Sequence, residues 1–91
     1  MLHILRYGTG SAQFAECLSA LSGDDLLLLI EDGVYASNGF NEQISELDQQ
    51  QRLYVLSADL DARGLKNGIG QRLDFAGWMR LLESAPSNLT W

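Results

Sequence analysis

Two acidic residues, five aliphatic ones and two more acidic ones stand in a row from position 24 to 32: Asp24-Asp25, then Leu26-Leu27-Leu28-Leu29-Ile30, then Glu31-Asp32. The aliphatic run has no alternation, so neither of its sides can be left to water. Periodicity alone does not separate strand from helix in such a run, but its length and its sharp polar bounds are those of a strand. A strand buried on both faces belongs inside a parallel sheet, with helices packed above and below it. The rest of the chain therefore has to supply neighbouring strands and at least two covering layers.

It does so in alternation. Leu2-His3-Ile4-Leu5-Arg6 suits a buried strand, and Tyr7-Gly8-Thr9-Gly10-Ser11 follows it as a loop. Phe14, Cys17, Leu18 and Leu21 recur at spacings of three and four, which predicts an amphipathic helix ended by Ser22-Gly23, with Gly23 in its left-handed cap. Glu31-Asp32-Gly33 turns the chain toward a short helix around Val34-Tyr35-Ala36. The polar stretch from Phe40 to Gln51, with Ile44 and Leu47 as its later apolar positions, reads as a surface helix or an ordered loop. Arg52-Leu53-Tyr54-Val55-Leu56 has β-branched and aromatic strand character. Ser57 then stands where an N-cap belongs, residues 58–63 read as a short helix with Gly64 at C′, and Asp59 pairs with Arg63 four residues on. Ile69 and Leu73 are expected in a short fourth strand, loosened by Gly68 and Gly70. Phe75, Trp78, Met79 and Leu82 predict a final helix stopped at Pro86, with Asn88-Leu89-Thr90-Trp91 as a tail. Strands alternating with helices imply an α/β fold: a small three-layer parallel sheet with helices on both faces and right-handed crossovers. At 91 residues one domain, 1–91, is the expectation.

Charge and cysteine content narrow the function. The chain carries −6 net, and its six basic residues, Arg6, Arg52, Arg63, Lys66, Arg72 and Arg80, are scattered. A groove that tracks phosphates needs them clustered, so direct nucleic-acid contact is not expected and a protein partner fits better. A lone cysteine, Cys17, excludes an intramolecular disulfide and any two-cysteine redox or zinc motif. It suits a reducing compartment. No signal peptide is recognised, and no apolar run approaches the ~20 residues that cross a bilayer. The expectation is a soluble cytoplasmic protein without cofactor or metal. A domain of this size buries only about 60–65% of its unfolded surface, so association would supply the missing burial.

Few residues invite chemistry. Gly8-Thr9-Gly10 lies between a strand and a helix, as a phosphate loop does, but Gln13 stands where the dinucleotide fingerprint needs its third glycine, and the Lys-Ser/Thr pair of a nucleotide loop is missing. A flexible turn is the simpler reading. Glu31 and Asp32 at the carboxyl end of the second strand occupy the edge where open α/β sheets bind ligands. They offer an acid–base or metal pair, against the plainer roles of a helix cap for Asp32 and a turn for Gly33. His3 is the sole histidine, has no evident nucleophile near it in sequence, and reads as structural or interfacial. Cys17 is the one strong nucleophile and a thiolate there could carry persulfide sulfur. Its register with Phe14 and Leu21 places it on the apolar side of its helix, where cysteine is a small hydrophobe. Trp78 belongs to the apolar stripe of the last helix. Trp91 either frays or docks, and with Tyr35 is a candidate interface anchor.

Taken together, several blocks are similar to one family. The opening Met1-Leu2-His3 with Leu5, the segment from Leu26 to Ala36, the stretch Leu53-Tyr54-Val55-Leu56 followed by Asp59-Leu60-Asp61-Ala62-Arg63-Gly64-Leu65, and the closing Pro86-Ser87 and Trp91 resemble the TusB/DsrH sulfur-relay family over essentially the whole chain. No single motif is diagnostic; the order and spacing carry the likeness, and the stretch between Leu65 and Phe75 looks shorter than the family pattern. The resemblance implies a DsrE/DsrF/DsrH-like, flavodoxin-like fold. It implies a heterohexamer with TusC-like and TusD-like subunits, linked to TusA as sulfur donor and TusE as acceptor. The persulfide sulfur would pass toward 2-thiouridine at the tRNA wobble position, with the transferring cysteine on the TusD-like subunit and this chain mainly structural. The alternative it implies is a DsrH-like subunit of sulfur oxidation or trafficking, in which Cys17 binds persulfide. A hydrolytic or ligand-binding domain using Glu31 and Asp32 is a third reading, from another class.

Overall fold

The computed structural model describes residues 1–66 and 68–91. Five strands, β1 (Leu2–Leu5), β2 (Leu26–Leu29), β3 (Leu53–Leu56), β4 (Gln71–Leu73) and β5 (Asn88–Thr90), form one sheet in the order β4-β3-β2-β1-β5. Every neighbouring pair is parallel. The aliphatic run is the central strand, with Leu26–Leu29 in register with Leu2–Leu5 on one side and Leu27–Leu29 with Leu53–Val55 on the other. The helices are α1 (Ala12–Ala20), α2 (Glu42–Gln49), α3 (Ser57–Ala62) and α4 (Phe75–Ser84), with a 3₁₀ helix over Glu31–Ser37.

Strand side chains alternate between two cores. Leu5, Leu27, Leu29, Leu53 and Val55 point to one face, where they meet Phe14, Cys17 and Leu18 of α1, Ile44 and Leu47 of α2, and Leu60 of α3. Leu2, Ile4, Leu28, Ile30 and Leu56 point to the other, where α4 brings Trp78, Leu81 and Leu82. Topology explains the division. From β1 to β4 the chain steps in one direction across the sheet, so crossovers of one hand keep α1, α2 and α3 on one face. The return from β4 to β5 runs the opposite way, so a crossover of the same hand carries α4 to the other face.

Side-chain caps fix three helix starts. The Ser11 hydroxyl accepts from the Phe14 amide at 3.0 Å, the Asn41 side chain from Ile44 at 3.0 Å, and Asp74 from Gly77 at 2.7 Å. Gly33 is required by close approach: a Cβ there would collide with the Leu5 carbonyl, where the 3₁₀ helix passes over the end of β1.

Several local expectations need correction. Ser57 is the first residue of α3 rather than its cap, and its hydroxyl accepts from Arg72 instead. Asp32 does not cap the 3₁₀ helix, whose N-cap is Ile30 with no side-chain bond. Gly23 has the left-handed conformation (φ 53°) but lies two residues beyond the α1 C-cap, Leu21, in the turn closed by Asp25 N–H to the Ser22 carbonyl. Phe75 and Met79, read as core stripe, are 60% and 57% exposed. The expected tail is the edge strand β5. Gly64, in contrast, takes the expected left-handed C′ position (φ 64°), and Asp59 and Arg63 face each other at 4.0 Å.

Candidate functional site

Three places on the molecule bring chemistry-bearing side chains together. The first is the carboxyl edge of β2. Glu31 has a left-handed backbone (φ 50°), uncommon outside glycine, and its amide donates to the Asp59 carboxylate at 2.6 Å. Arg63 extends from the α3 C-cap to Asp32, with Nη2 to Oδ1 at 3.0 Å and Nε to Oδ1 at 3.2 Å. The Asp32 carboxylate is thus tied by an arginine and that of Asp59 by a backbone amide. Glu31 and Asp32 are joined to α3 as a brace, not set as two facing carboxylates around a substrate. Among the described residues no group of three or more His, Cys, Asp or Glu side chains could hold a metal ion. A shallow, open groove of about 630 Å³ lies alongside, lined by Tyr7, Gly8 to Ser11, Asp32 and Tyr35. The Ser11 hydroxyl, the one polar side chain of the glycine loop aimed at helix α1, is already engaged by the Phe14 amide and the Gly8 carbonyl. Tyr35 is 48% exposed on the rim, and Phe40 beyond it is 92% exposed.

The second place is where β3 and β4 send their connections to opposite faces, the topological switch at which open sheets commonly bind ligands. Arg72 of β4 crosses there to the Ser57 hydroxyl at 2.7 Å and to Asp61 at 2.9 Å. The bridge pins α3 to the edge strand. Sequence gave no sign of it, because its members are eleven and fifteen residues apart with no local pattern.

The third lies at the amino edge. His3 is 2% exposed, on β1, with Nε2 3.1 Å from the Asp25 carboxylate and Nδ1 3.1 Å from the indole nitrogen of Trp91. Burial pushes the Asp25 carboxyl up, but its bonds to His3, to the Ser22 amide and to the Met1 amino group outweigh this and hold it below the usual aspartate range. Trp91 is therefore docked, stacked on the His3 ring with centroids 6.1 Å apart. The ring nitrogen that would take a proton from a nucleophile faces an indole N–H, so a Ser-His-Asp triad is not assembled. His3 and Trp91 each stood out in the sequence; nothing there joined residues 88 positions apart.

Cys17 belongs to none of these. It has no exposed surface and is packed in the core under α1. Burial pushes its thiol up to about 12. A persulfide carrier needs the thiolate and access to a donor, and this position supplies neither in the folded chain.

The face covered by α4 is different in kind. Among α4 residues only Gly77 is fully buried, and Trp78, Leu81 and Leu82 are part-covered. Phe75 stacks on Trp78 (centroids 6.4 Å apart) and, with Met79, stands well exposed. Surface of this composition is suited to contact with another protein. No helix of the described residues is long and apolar enough to cross a membrane.

Comparison with known proteins gives a concordant result. The family profile described as "DsrH like protein" matches residues 9–87. The protein named TusB of Escherichia coli K12 is 36% identical over an alignment of 95 positions that covers all of both chains. The TusB proteins of Shigella sonnei and Salmonella enteritidis are 36% and 34% identical, again over the full length of both chains.

Proposed function

The chain belongs to the DsrH-like protein family, and on that premise we propose that it is a mainly structural subunit of a cytoplasmic sulfur-relay complex. In this reading residues 1–91 act as one domain that joins TusC-like and TusD-like chains in a heterohexamer. The complex takes persulfide sulfur from a TusA-like donor and passes it to a TusE-like acceptor, toward 2-thiouridine at the tRNA wobble position. The observation that supports the structural role is the state of the single cysteine: Cys17 has no exposed surface, and burial pushes its thiol up to about 12, away from the accessible thiolate that a sulfur carrier uses. The −6 charge supports contact with proteins over contact with tRNA. Tyr35 on its groove and the Phe75–Met79 side of α4 offer the exposed aromatic and aliphatic surface that such partners would cover. Trp91, an anchor candidate from sequence, is engaged within the chain by His3.

Complementation tests this. Deleting the gene should abolish wobble thiolation, and a Cys17→Ala variant should restore it as fully as the unaltered gene, with TusC-like and TusD-like chains co-purifying. The alternative, a DsrH-like subunit of sulfur oxidation or trafficking in which Cys17 itself carries persulfide, requires a one-sulfur mass gain at Cys17 after exposure to a persulfide donor, absent in Cys17→Ala. Unchanged thiolation in the deletion strain sinks the tRNA reading, and no sulfur adduct on Cys17 sinks the alternative. The isolated chain should self-associate through its exposed α4 side, and a well-behaved monomer that ignores those partners counts against the structural role.

A further inference from the structure

The final strand lies at one edge of the sheet. β5 has three residues, all exposed, and pairs with β1 alone. Around it, the Leu2 amide donates to the Ser87 carbonyl (2.9 Å), the Trp91 amide to Ile4 (2.8 Å), and Arg6 reaches the Trp91 carbonyl through its amide and its Nε. The three-residue ladder with β1 and the packing of Trp91 against the core under α1 add to these, and the one side-chain hydrogen bond from Trp91 is the indole–imidazole bond.

That bond fixes the state of His3. An indole nitrogen can only donate, so His3 Nδ1 must be bare, and the single ring proton is on Nε2, aimed at Asp25. The neutral ring is thus satisfied at both ends. A second proton would go to Nδ1, where it would meet the indole N–H: two donors, no acceptor, in a buried position. The groups that set the balance are few. Asp25, preceding β2, favours the charged ring, and the Met1 amino group and the Ser22 amide share its carboxylate. Arg52, ahead of β3, donates to the Asp25 carbonyl, and Arg6, following β1, donates to Trp91. On β2 and β5 the residues in register with His3 are the uncharged Leu27 and Leu89.

We propose that His3 couples proton uptake to docking of the last strand: when the ring takes its second proton, Trp91 loses its acceptor and the pairing of β5 with β1 loosens. Nδ1 gains the proton from solvent, the Trp91–His3 hydrogen bond breaks, and the Arg6 and Trp91 backbone bonds open more often; no covalent bond is broken. The proposal does not depend on the sulfur-relay reading, since it concerns this chain's own strand pairing.

Nitrogen-15 NMR on the full chain tests it. At about pH 8 the His3 ring should show a bare Nδ1 and a protonated Nε2. Between about pH 8 and about pH 5 the protection factors of the Arg6 and Trp91 amides, corrected for the intrinsic exchange rate at each pH, should fall at least about tenfold along the His3 titration. The Leu27 amide, bonded to Arg52 on the far side of β2, should keep its protection. His3→Gln keeps a neutral acceptor and donor and should hold Arg6 and Trp91 protected throughout. If that variant does not fold, Trp91→Phe serves, leaving Arg6 poorly protected at every pH. A proton on Nδ1 at pH 8, a ring that stays neutral to pH 5, or undiminished Arg6 and Trp91 protection after His3 has titrated overturns the proposal.

Discussion

The two faces of the sheet are covered to very different degrees. On the side of α1, α2 and α3, thirteen buried residues form a closed core reaching from Leu5 and Phe14 to Ile44 and Leu60. On the opposite side a single helix lies over five strands, and the five buried residues there, Leu2, Ile4, Leu28, Ile30 and Leu56, are surrounded by side chains only partly out of water. The strands feed both faces with equally apolar residues, so the contrast comes from connectivity: three crossovers go to one side and one to the other. Closed cores confer stability on a lone chain; a half-covered one leaves apolar surface whose burial has to come from elsewhere. For a chain of 91 residues this is a physical reason to work in an assembly.

The contrast can be broken most sharply at Cys17, in the closed core. Cys17 has no exposed surface and burial pushes its thiol up from 9.0 to about 12, so iodoacetamide should label the folded chain only when this core opens, at least about a hundredfold slower than the urea-unfolded chain. The same shift carries a sign for stability. A raised folded pKa is without cost below about pH 9 and erodes stability as pH climbs from there toward 12, so urea midpoints should decline on the alkaline side. Rapid labelling of the folded chain would mean that the core under α1 opens readily. Next in size, Leu29→Ala in the same core should cost about 3–4 kcal/mol by urea denaturation; a loss below about 1 kcal/mol would erase the distinction between faces. Leu82→Ala, under α4, should cost only about 1 kcal/mol in the isolated chain, because water already reaches the site. Smallest is Phe75→Ser, expected within about 0.5 kcal/mol alone while reducing recovery of partner chains in pull-downs. If that variant instead unfolds the chain, α4 is an internal support and its outer side is not a contact surface.

The same contrast explains what was legible from sequence. A strand buried on both faces shows itself by composition alone, and Leu26 to Leu29 duly form the centre of the sheet. Amphipathic spacing found α1 and α4 as elements. It could not tell that α4 is left half-covered, since a periodic stripe records which residues would prefer burial and not whether anything is there to bury them. Phe75 and Met79 were misplaced for that reason. β5 escaped because three exposed residues have no apolar pattern; its partner β1 recruits it through backbone bonds, which are blind to side-chain type. Residue type suggests caps at Ser57 and Asp32, but arginines distant in sequence take both oxygens, Ser57 by a hydrogen bond and Asp32 by an ion pair. Cys17 was placed on the apolar side by spacing, and the fold agrees. The His3–Asp25–Trp91 set is a product of tertiary structure throughout.

One feature of the sheet bears on how the chain is made. Of the five strands β1 leaves the ribosome before the others, yet the strand that closes its outer side comes from residues 88–90. Throughout synthesis the oldest segment therefore keeps a raw flank, and neither early pausing nor rapid local folding can finish it. A translation product that stops short of residue 88 would keep its helices and still expose an adhesive border, which makes such fragments natural clients for chaperones.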